Sequence, residues 1–215
     1  MKITYLGHSC FRLNSKQGTA IVTDPYTRVG YELLPNITAN AVTVSHGHFD
    51  HNYVESVQAK QIISTLGMHT VNEIDIVGVP AWHDPKQGAL RGSNIVYLMQ
   101  IDGMTVCHLG DLGEPCSAEI LERIRRVDVL LIPVGGTYTV DAAQAKEYVD
   151  KIAPKVIIPM HYRPSDGALD ITDCTPFLKL FNEGNVQMVK NGEVELLIDD
   201  LTENMRIIYM ERKKK

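Results

Sequence analysis

The sequence predicts an α/β fold, with two mixed β-sheets packed together and helices over their outer faces. Three observations lead there. Short β-patterned runs punctuated by turn residues fill most of the chain, and two amphipathic helical stretches alternate with strands in its second half. No short-period repeat or low-complexity tract interrupts the pattern, so residues 1–215 are expected to form one domain. A sheet-rich chain with few helices buries its apolar faces most simply as sheet on sheet between helices.

Strands are expected at 2–6, 10–14, 19–23, 41–45, 61–64, 75–82, 94–101, 104–109, 128–134, 155–160, 186–190, 193–198 and 205–211. Asp102-Gly103 and Asn191-Gly192, each between two apolar runs, read as two-residue hairpin turns. Helices are expected at 117–126 and 141–152, with a further turn of helix from Asn52 to Val57. In 141–152, Asp141 and Gln144 form a capping-box start, and Ala142, Ala145, Val149 and Ile152 share one face.

With 215 residues, 44% of them hydrophobic, the chain can bury one substantial core. A net charge of -5 offers no general attraction to nucleic acid or to anionic membranes, so a small-molecule partner is expected. The basic end Arg212-Lys213-Lys214-Lys215 is short and reads as a solvated terminus. No apolar run approaches membrane-spanning length, the first strand is too short for a secretory signal core, and the reading is cytoplasmic. Cys10, Cys107, Cys116 and Cys174 have no CxxC spacing, which fits reduced structural thiols better than disulfides or a thiolate zinc site.

Chemistry concentrates in His46-Gly47-His48-Phe49-Asp50-His51, four metal-ligand side chains in six residues after the buried strand Ala41-Val42-Thr43-Val44-Ser45. In extended backbone His46 and His48 point to one side, while Asp50 and His51, turning away, face another point. Two differently aimed pairs suggest two metals. Of the eight histidines, His8, His83, His108 and His161 also lie at the ends of strand-like runs, and only His69 reads as an ordinary surface residue. His83 is placed to complete a three-His set with His46 and His48, and His161 to join Asp50 and His51. Asp111, emerging beside Gly110, has two oxygens with which to bridge two cations.

These motifs, together with Val22-Thr23-Asp24-Pro25, resemble the metallo-β-lactamase superfamily. Leu6-Gly7-His8-Ser9-Cys10-Phe11, Pro80-Ala81-Trp82-His83, His108-Leu109-Gly110-Asp111, Pro133-Val134-Gly135-Gly136 and Ile158-Pro159-Met160-His161-Tyr162 are similar to its branch of metal-dependent hydrolases related to the phosphorylated-ascorbate lactonases. The resemblance implies an αββα sandwich with the site along one edge, a hydrolytic activity, and Asp24 hydrogen-bonded to the ligand loop. It also separates this chain from the antibiotic-cleaving members, which often carry Cys where it has Asp111. Nucleic-acid-cleaving members bring an inserted domain and basic surface, and the known lactonases are considerably longer.

The expected chemistry is hydrolysis of a small ester, lactone or phosphodiester by a hydroxide shared between two divalent ions. Zinc suits the histidine-rich set best, with manganese, iron or nickel open to a site that includes carboxylates. Asp50 is the expected catalytic residue, orienting the water and moving its proton. His8 and His108 have the chemistry for support of the ligands or for protonating a leaving group. Substrate loops are expected at 25–37, 84–93 and 162–173, where Arg28, Lys86, Arg91 and Arg163 are available to an anionic group, and Tyr138 and Tyr162 to substrate contact. Two other readings of the same residues are a mononuclear iron oxygenase acting on a thiol-derived substrate and a non-catalytic metal-binding module.

Overall fold

The computed structural model describes residues 1–202 and 204–214. One sheet holds β1 (Lys2–Gly7), β2 (Cys10–Asn14), β3 (Ala20–Thr23), β4 (Ile37–Thr43), β5 (Val57–Ile63) and, on its edge, β13 (Glu193–Glu195), in the order β13-β1-β2-β3-β4-β5. The other holds β6 (Gly67–Val71), β7 (Ile74–Trp82), β8 (Ser93–Ile101), β9 (Met104–His108), β10 (Val129–Pro133), β11 (Val156–Met160), β12 (Val186–Val189) and β14 (Arg206–Met210), in the order β12-β14-β11-β10-β9-β8-β7-β6. Three α-helices are present among the described residues: α1 (Ala118–Arg123), α2 (Ala142–Ile152) and α3 (Thr175–Leu178).

The two sheets share one apolar core. Ile3, Phe11, Leu13 and Ile21 from the first sheet meet Ile76, Val96, Met99 and Val106 from the second, all fully buried. Helix residues Ile120, Tyr148, Val149 and Phe177 belong to the same cluster. The other face of the first sheet, with Val22 and Val42, packs under Tyr26, Val29, Leu33 and Leu34, which belong to no α-helix. Helical cover is thus confined to the cluster that includes the second sheet, and an irregular segment covers the first.

Strand direction positions the site. β1 and β3 both run antiparallel to β2, and β3 is parallel to β4. Likewise β7 and β9 both run antiparallel to β8, while β9, β10 and β11 are parallel. The C-terminal ends of β1, β3 and β4 therefore lie together in one sheet, and those of β7, β9 and β11 in the other. Cross-sheet bonds close the two edges onto each other: Ile95 N–H donates to Ser45 O at 2.9 Å, and His161 N–H to His8 O at 3.0 Å.

Several local expectations meet a different outcome. Asp102-Gly103 does turn β8 into β9, both residues at positive φ. Asn191-Gly192, however, does not close a hairpin, because β12 and β13 belong to different sheets. Gly192 O instead accepts from Tyr5 N–H at 2.8 Å, so the turn carries the chain across the sandwich. The helical turn expected at Asn52–Val57 is a single 3-10 turn, Val54–Ser56, because Val57 already pairs with Ile37 as the start of β5. The short edge strand β6 and the one-turn α3 carry too few apolar residues to be read from sequence. The basic end is tied down rather than free: Arg212 pairs with Asp166 at 2.7 Å and Lys213 with Glu193 at 3.0 Å, while Lys215 lies outside the described residues. No helix of the described residues is long and apolar enough to cross a membrane.

Candidate metal centre

The loop after β4 and the residues following β7, β9 and β11 bring His46, His48, Asp50, His51, His83, Asp111 and His161 into one cluster. His46, His48 and His83 each offer a ligand atom within 4.8 Å of the others, and so do His8, Asp50, His51 and His161. Asp111 stands between the two groups. Its Oδ2 is 3.3 Å from His83 Nε2, 3.3 Å from His161 Nε2 and 3.8 Å from His46 Nε2, and its Oδ1 is 3.0 Å from His51 Nε2. A carboxylate reaching histidines of both groups has the geometry a bridging ligand needs.

The hydrogen bonds fix which nitrogen each ring presents. Asp24 Oδ2 accepts from His51 Nδ1–H at 2.8 Å and from the Ser45 hydroxyl at 2.6 Å, and Oδ1 accepts from Ser45 N–H at 2.8 Å. An ionised carboxylate only accepts, so the Ser45 hydroxyl spends its proton on Asp24 and can accept from His46 Nδ1–H at 3.0 Å. Both rings therefore turn Nε2 toward Asp111. Asp24 thus orients two candidate ligands at once. His108 donates Nε2–H to Ser9 O at 2.8 Å and accepts Gly110 N–H on Nδ1 at 3.2 Å, steadying the turn that presents Asp111.

Several convergent atoms have no hydrogen-bond partner within the protein. His51 Nε2, Asp111 Oδ1 and His161 Nε2 are buried and unsatisfied despite their mutual proximity. Leaving such groups unpaired is costly, and a cation held by all of them removes the cost. The local field favours positive charge. Burial opposes protonation of His51, but Asp111 and Asp24 on either side outweigh it and raise its pKa well above the ordinary value. Burial likewise opposes ionisation of Asp50, yet the His8 hydrogen bond and the nearby His51 hold the carboxyl well below the usual range. His46 is pushed down to about 3 and His8 to about 4, in both cases mainly by burial, so both rings are neutral near pH 7. Neutral imidazole is the form that ligates metal. The donor set fits divalent ions.

His8 is closer to the centre than a supporting residue need be. Its Nε2 is 3.2 Å from Asp50 Oδ2 and its ring centroid 4.3 Å from that of His161. His8, Asp24 and His161 all adopt positive φ, a conformation costly for non-glycine residues and commonest where function demands it. Sequence reading missed Ser45 and Asn94. Asn94 Oδ1 accepts Asp111 N–H at 3.0 Å while its amide donates to Leu109 O at 2.9 Å. A buried Asn in an otherwise apolar strand was the available signal.

A cavity of about 520 Å³ opens on this cluster, lined by His48, Asp50, His83 and Asp111 and, farther out, by Phe49, Arg91, Tyr138 and Leu169. Arg91 and Tyr138, both expected to contact substrate, line this cavity. Tyr162 and Arg163 do not: Tyr162 is buried with its hydroxyl donating to Met210 O at 3.1 Å, and Arg163 is exposed outside this cavity. Tyr162 packs in the core beside Tyr5, their ring centroids 6.4 Å apart.

A model of the beta-lactamase superfamily domain matches residues 2–161, a span running from β1 to the last histidine of the cluster. The chain belongs to the beta-lactamase superfamily. Within that superfamily it is 32% identical to a UPF0173 metal-dependent hydrolase of Carboxydothermus hydrogenoformans, over 75% of this chain and 84% of the relative. It is 30% identical to a UPF0173 metal-dependent hydrolase of Pyrococcus furiosus, over 90% and 98%. Among solved structures, a Thermotoga maritima protein assigned to the Zn-dependent hydrolases of the metallo-beta-lactamase superfamily superposes with a TM-score of 0.81 at 39% identity, covering 98% of each chain. CmlA, a diiron beta-hydroxylase from Streptomyces venezuelae, shares the fold at 17% identity with a TM-score of 0.56, over 74% of this chain and 44% of that one.

Proposed function

We propose that this superfamily member is a dinuclear metal-dependent hydrolase acting on a small ester, lactone or phosphodiester. The observation that carries the reading is Asp111, which approaches His83 of one group through Oδ2 and His51 and His161 of the other through Oδ1 and Oδ2. His46, His48 and His83 would hold one ion, Asp50, His51 and His161 the other, and Asp111 both. Zinc is the ion best matched to this donor set, with manganese, iron and nickel as alternatives. Two such ions would supply a water of lowered pKa and polarise the scissile carbonyl or phosphoryl oxygen.

The chain's own residues supply orientation and proton handling. Asp50, kept ionised by the His8 hydrogen bond, accepts a proton at its carboxylate during attack. His8, donating Nε2–H to Asp50 Oδ2, holds that carboxylate in place. Asp24 and Ser45 keep His51 and His46 in the orientation that turns Nε2 inward. His51 and His161, buried and outside the cavity lining, exclude water from the inner side of the cluster.

The test is metal analysis of purified, reconstituted protein together with turnover of ester, lactone, thioester, amide and phosphodiester substrates. About two divalent ions per chain with hydrolysis of one class supports the reading. A single iron with oxygen consumption would establish the oxygenase instead, and variable metal with no turnover a binding module.

A further inference from the structure

The outer wall of the cavity holds one element that the hydrolytic chemistry does not use. Among the described residues, Arg91 is the one Lys or Arg side chain lining this cavity, and no carboxylate lies within ion-pairing distance of it. One guanidinium N–H donates to Thr137 O at 3.1 Å, and the guanidinium carbon stands 5.6 Å from the Tyr138 ring centroid. A guanidinium has five N–H donors, so most remain free for a ligand.

The fold goes to some length to hold Arg91 there. Asp84 is buried and accepts backbone N–H bonds from Lys86, Gly88, Leu90 and Arg91, at 2.8 to 3.2 Å, which pins the whole loop to a single carboxylate. On the facing side Gly136 and Thr137 lie at φ of 66° and 59°. A β-branched residue at positive φ is a genuine conformational outlier, and here it directs its carbonyl at Arg91. Tyr138 and Phe49, 39% and 48% exposed, flank the same opening beside Leu169. A rigid, unpaired cation between aromatic and aliphatic surfaces, in the cavity that leads to the candidate metals, is a receptor for an oxyanion on a partly apolar molecule.

We propose that the substrate carries a carboxylate or phosphate-type anionic group, bound by Arg91 against Tyr138, with its apolar body on Phe49 and Leu169 and its scissile group at the metal end. The proposal rests on the hydrolase reading for the scissile group, but not for the anion. Other loop cations are not part of it: Lys86 and Arg163 lie outside the cavity, and Arg28 lines a separate one.

The experiment uses the metal-reconstituted full chain and its R91Q and R91K variants, with thermal melts to confirm folding. Binding of succinamate, of its phosphonate counterpart 3-phosphonopropanamide and of neutral succinamide is measured by calorimetry. Succinamate or the phosphonate should bind wild type about 10- to 100-fold more tightly than it binds R91Q, with R91K intermediate. Which of the two anions loses more identifies the group. Kinetics are read on 4-nitrophenyl hemisuccinate and 4-nitrophenyl butyrate, where the ratio of kcat/KM for the charged over the neutral ester should fall by a similar factor in R91Q. An anion affinity and an ester ratio unchanged by R91Q would overturn the proposal. Anion binding that depends on Arg91, with no turnover of either ester, would sustain the anion site and count against ester hydrolysis.

Discussion

At the scale of single residues, the centre depends on where charge is placed. Asp111→Asn keeps size and one acceptor but removes the negative charge shared by histidines of both groups. Since replacing even an outer partner of a metal ligand costs roughly 10- to 100-fold, D111N should lose at least one ion and reduce kcat/KM by about 100-fold or more. Two tightly held metals with full turnover in the variant would remove Asp111 from the bridging role. The histidines sort in the same way. His161→Ala should deplete the ion shared with Asp50 and His51 while sparing the other, whereas His69→Ala should change neither metal content nor turnover. His69 sits on exposed β6, its ring against Thr65 O at 3.1 Å, far from any of the groupings. Equal effects from the two variants, read by elemental analysis, would refute this sorting.

At the scale of elements, ends matter more than middles. α2 begins with a complete capping box: Asp141 accepts from Ala143 and Gln144 N–H, and Gln144 accepts Asp141 N–H. Its buried face of Ala145, Tyr148 and Val149 seals the core behind β10 and β11, the strand that delivers His161. Asp141→Ala should therefore destabilise the fold by about 1 kcal/mol, with metal content unchanged at saturating ion. A urea midpoint equal to wild type would mean that tertiary packing alone sets the helix start. β11 also contains Pro159, although proline is rare in central strands. The explanation is local: β14 pairs β11 only at Val156 and Ile157, so the ladder on that side has ended before Pro159 lacks a donor for it.

At the scale of the whole molecule, stability and metal binding share one pH dependence. In an unfolded chain His8 and His46 would titrate near 6.5, but folded they are held to about 4 and about 3, chiefly by burial. Between those values the unfolded state binds more protons, so the contribution of these two rings to stability is complete above about 6.5 and is lost as pH drops toward the folded values. His51, raised rather than lowered, is protonated in both states below about 6.5 and adds no slope in that window. The melting temperature should thus decline between about pH 6.5 and 4 with or without metal. It should decline further with metal, because protons compete for the ligands and the ion stabilises only the folded chain. A chelator near neutral pH should lower it as well. Melting scans with metal content measured on the same samples check this, and a melting temperature flat from pH 7 to 4 would contradict the buried neutral histidines.

Much of the chemistry was legible in the sequence because it is local. His46 through His51 are neighbours in the chain, the ends of apolar runs mark where side chains emerge, and Asp141 with Gln144 declares a helix start within four residues. The long strands were legible for the same reason, since a period of two is written into each run. What tertiary structure alone decided is how separate ends meet. Asn191-Gly192 has the composition of a hairpin, yet which sheet each flanking strand joins is set by packing across the sandwich. Tyr162 follows a candidate ligand in sequence and still points into the core. His8 moves from supporting residue to the heart of the cluster because β1 and β11 end side by side, joined by the His161 to His8 backbone bond. Arg91 was one of four loop cations until the fold put it, and not the other three, in the cavity wall. Local pattern specifies which residues can do chemistry; distances between strand ends depend on long-range burial and register, which no short window of sequence contains.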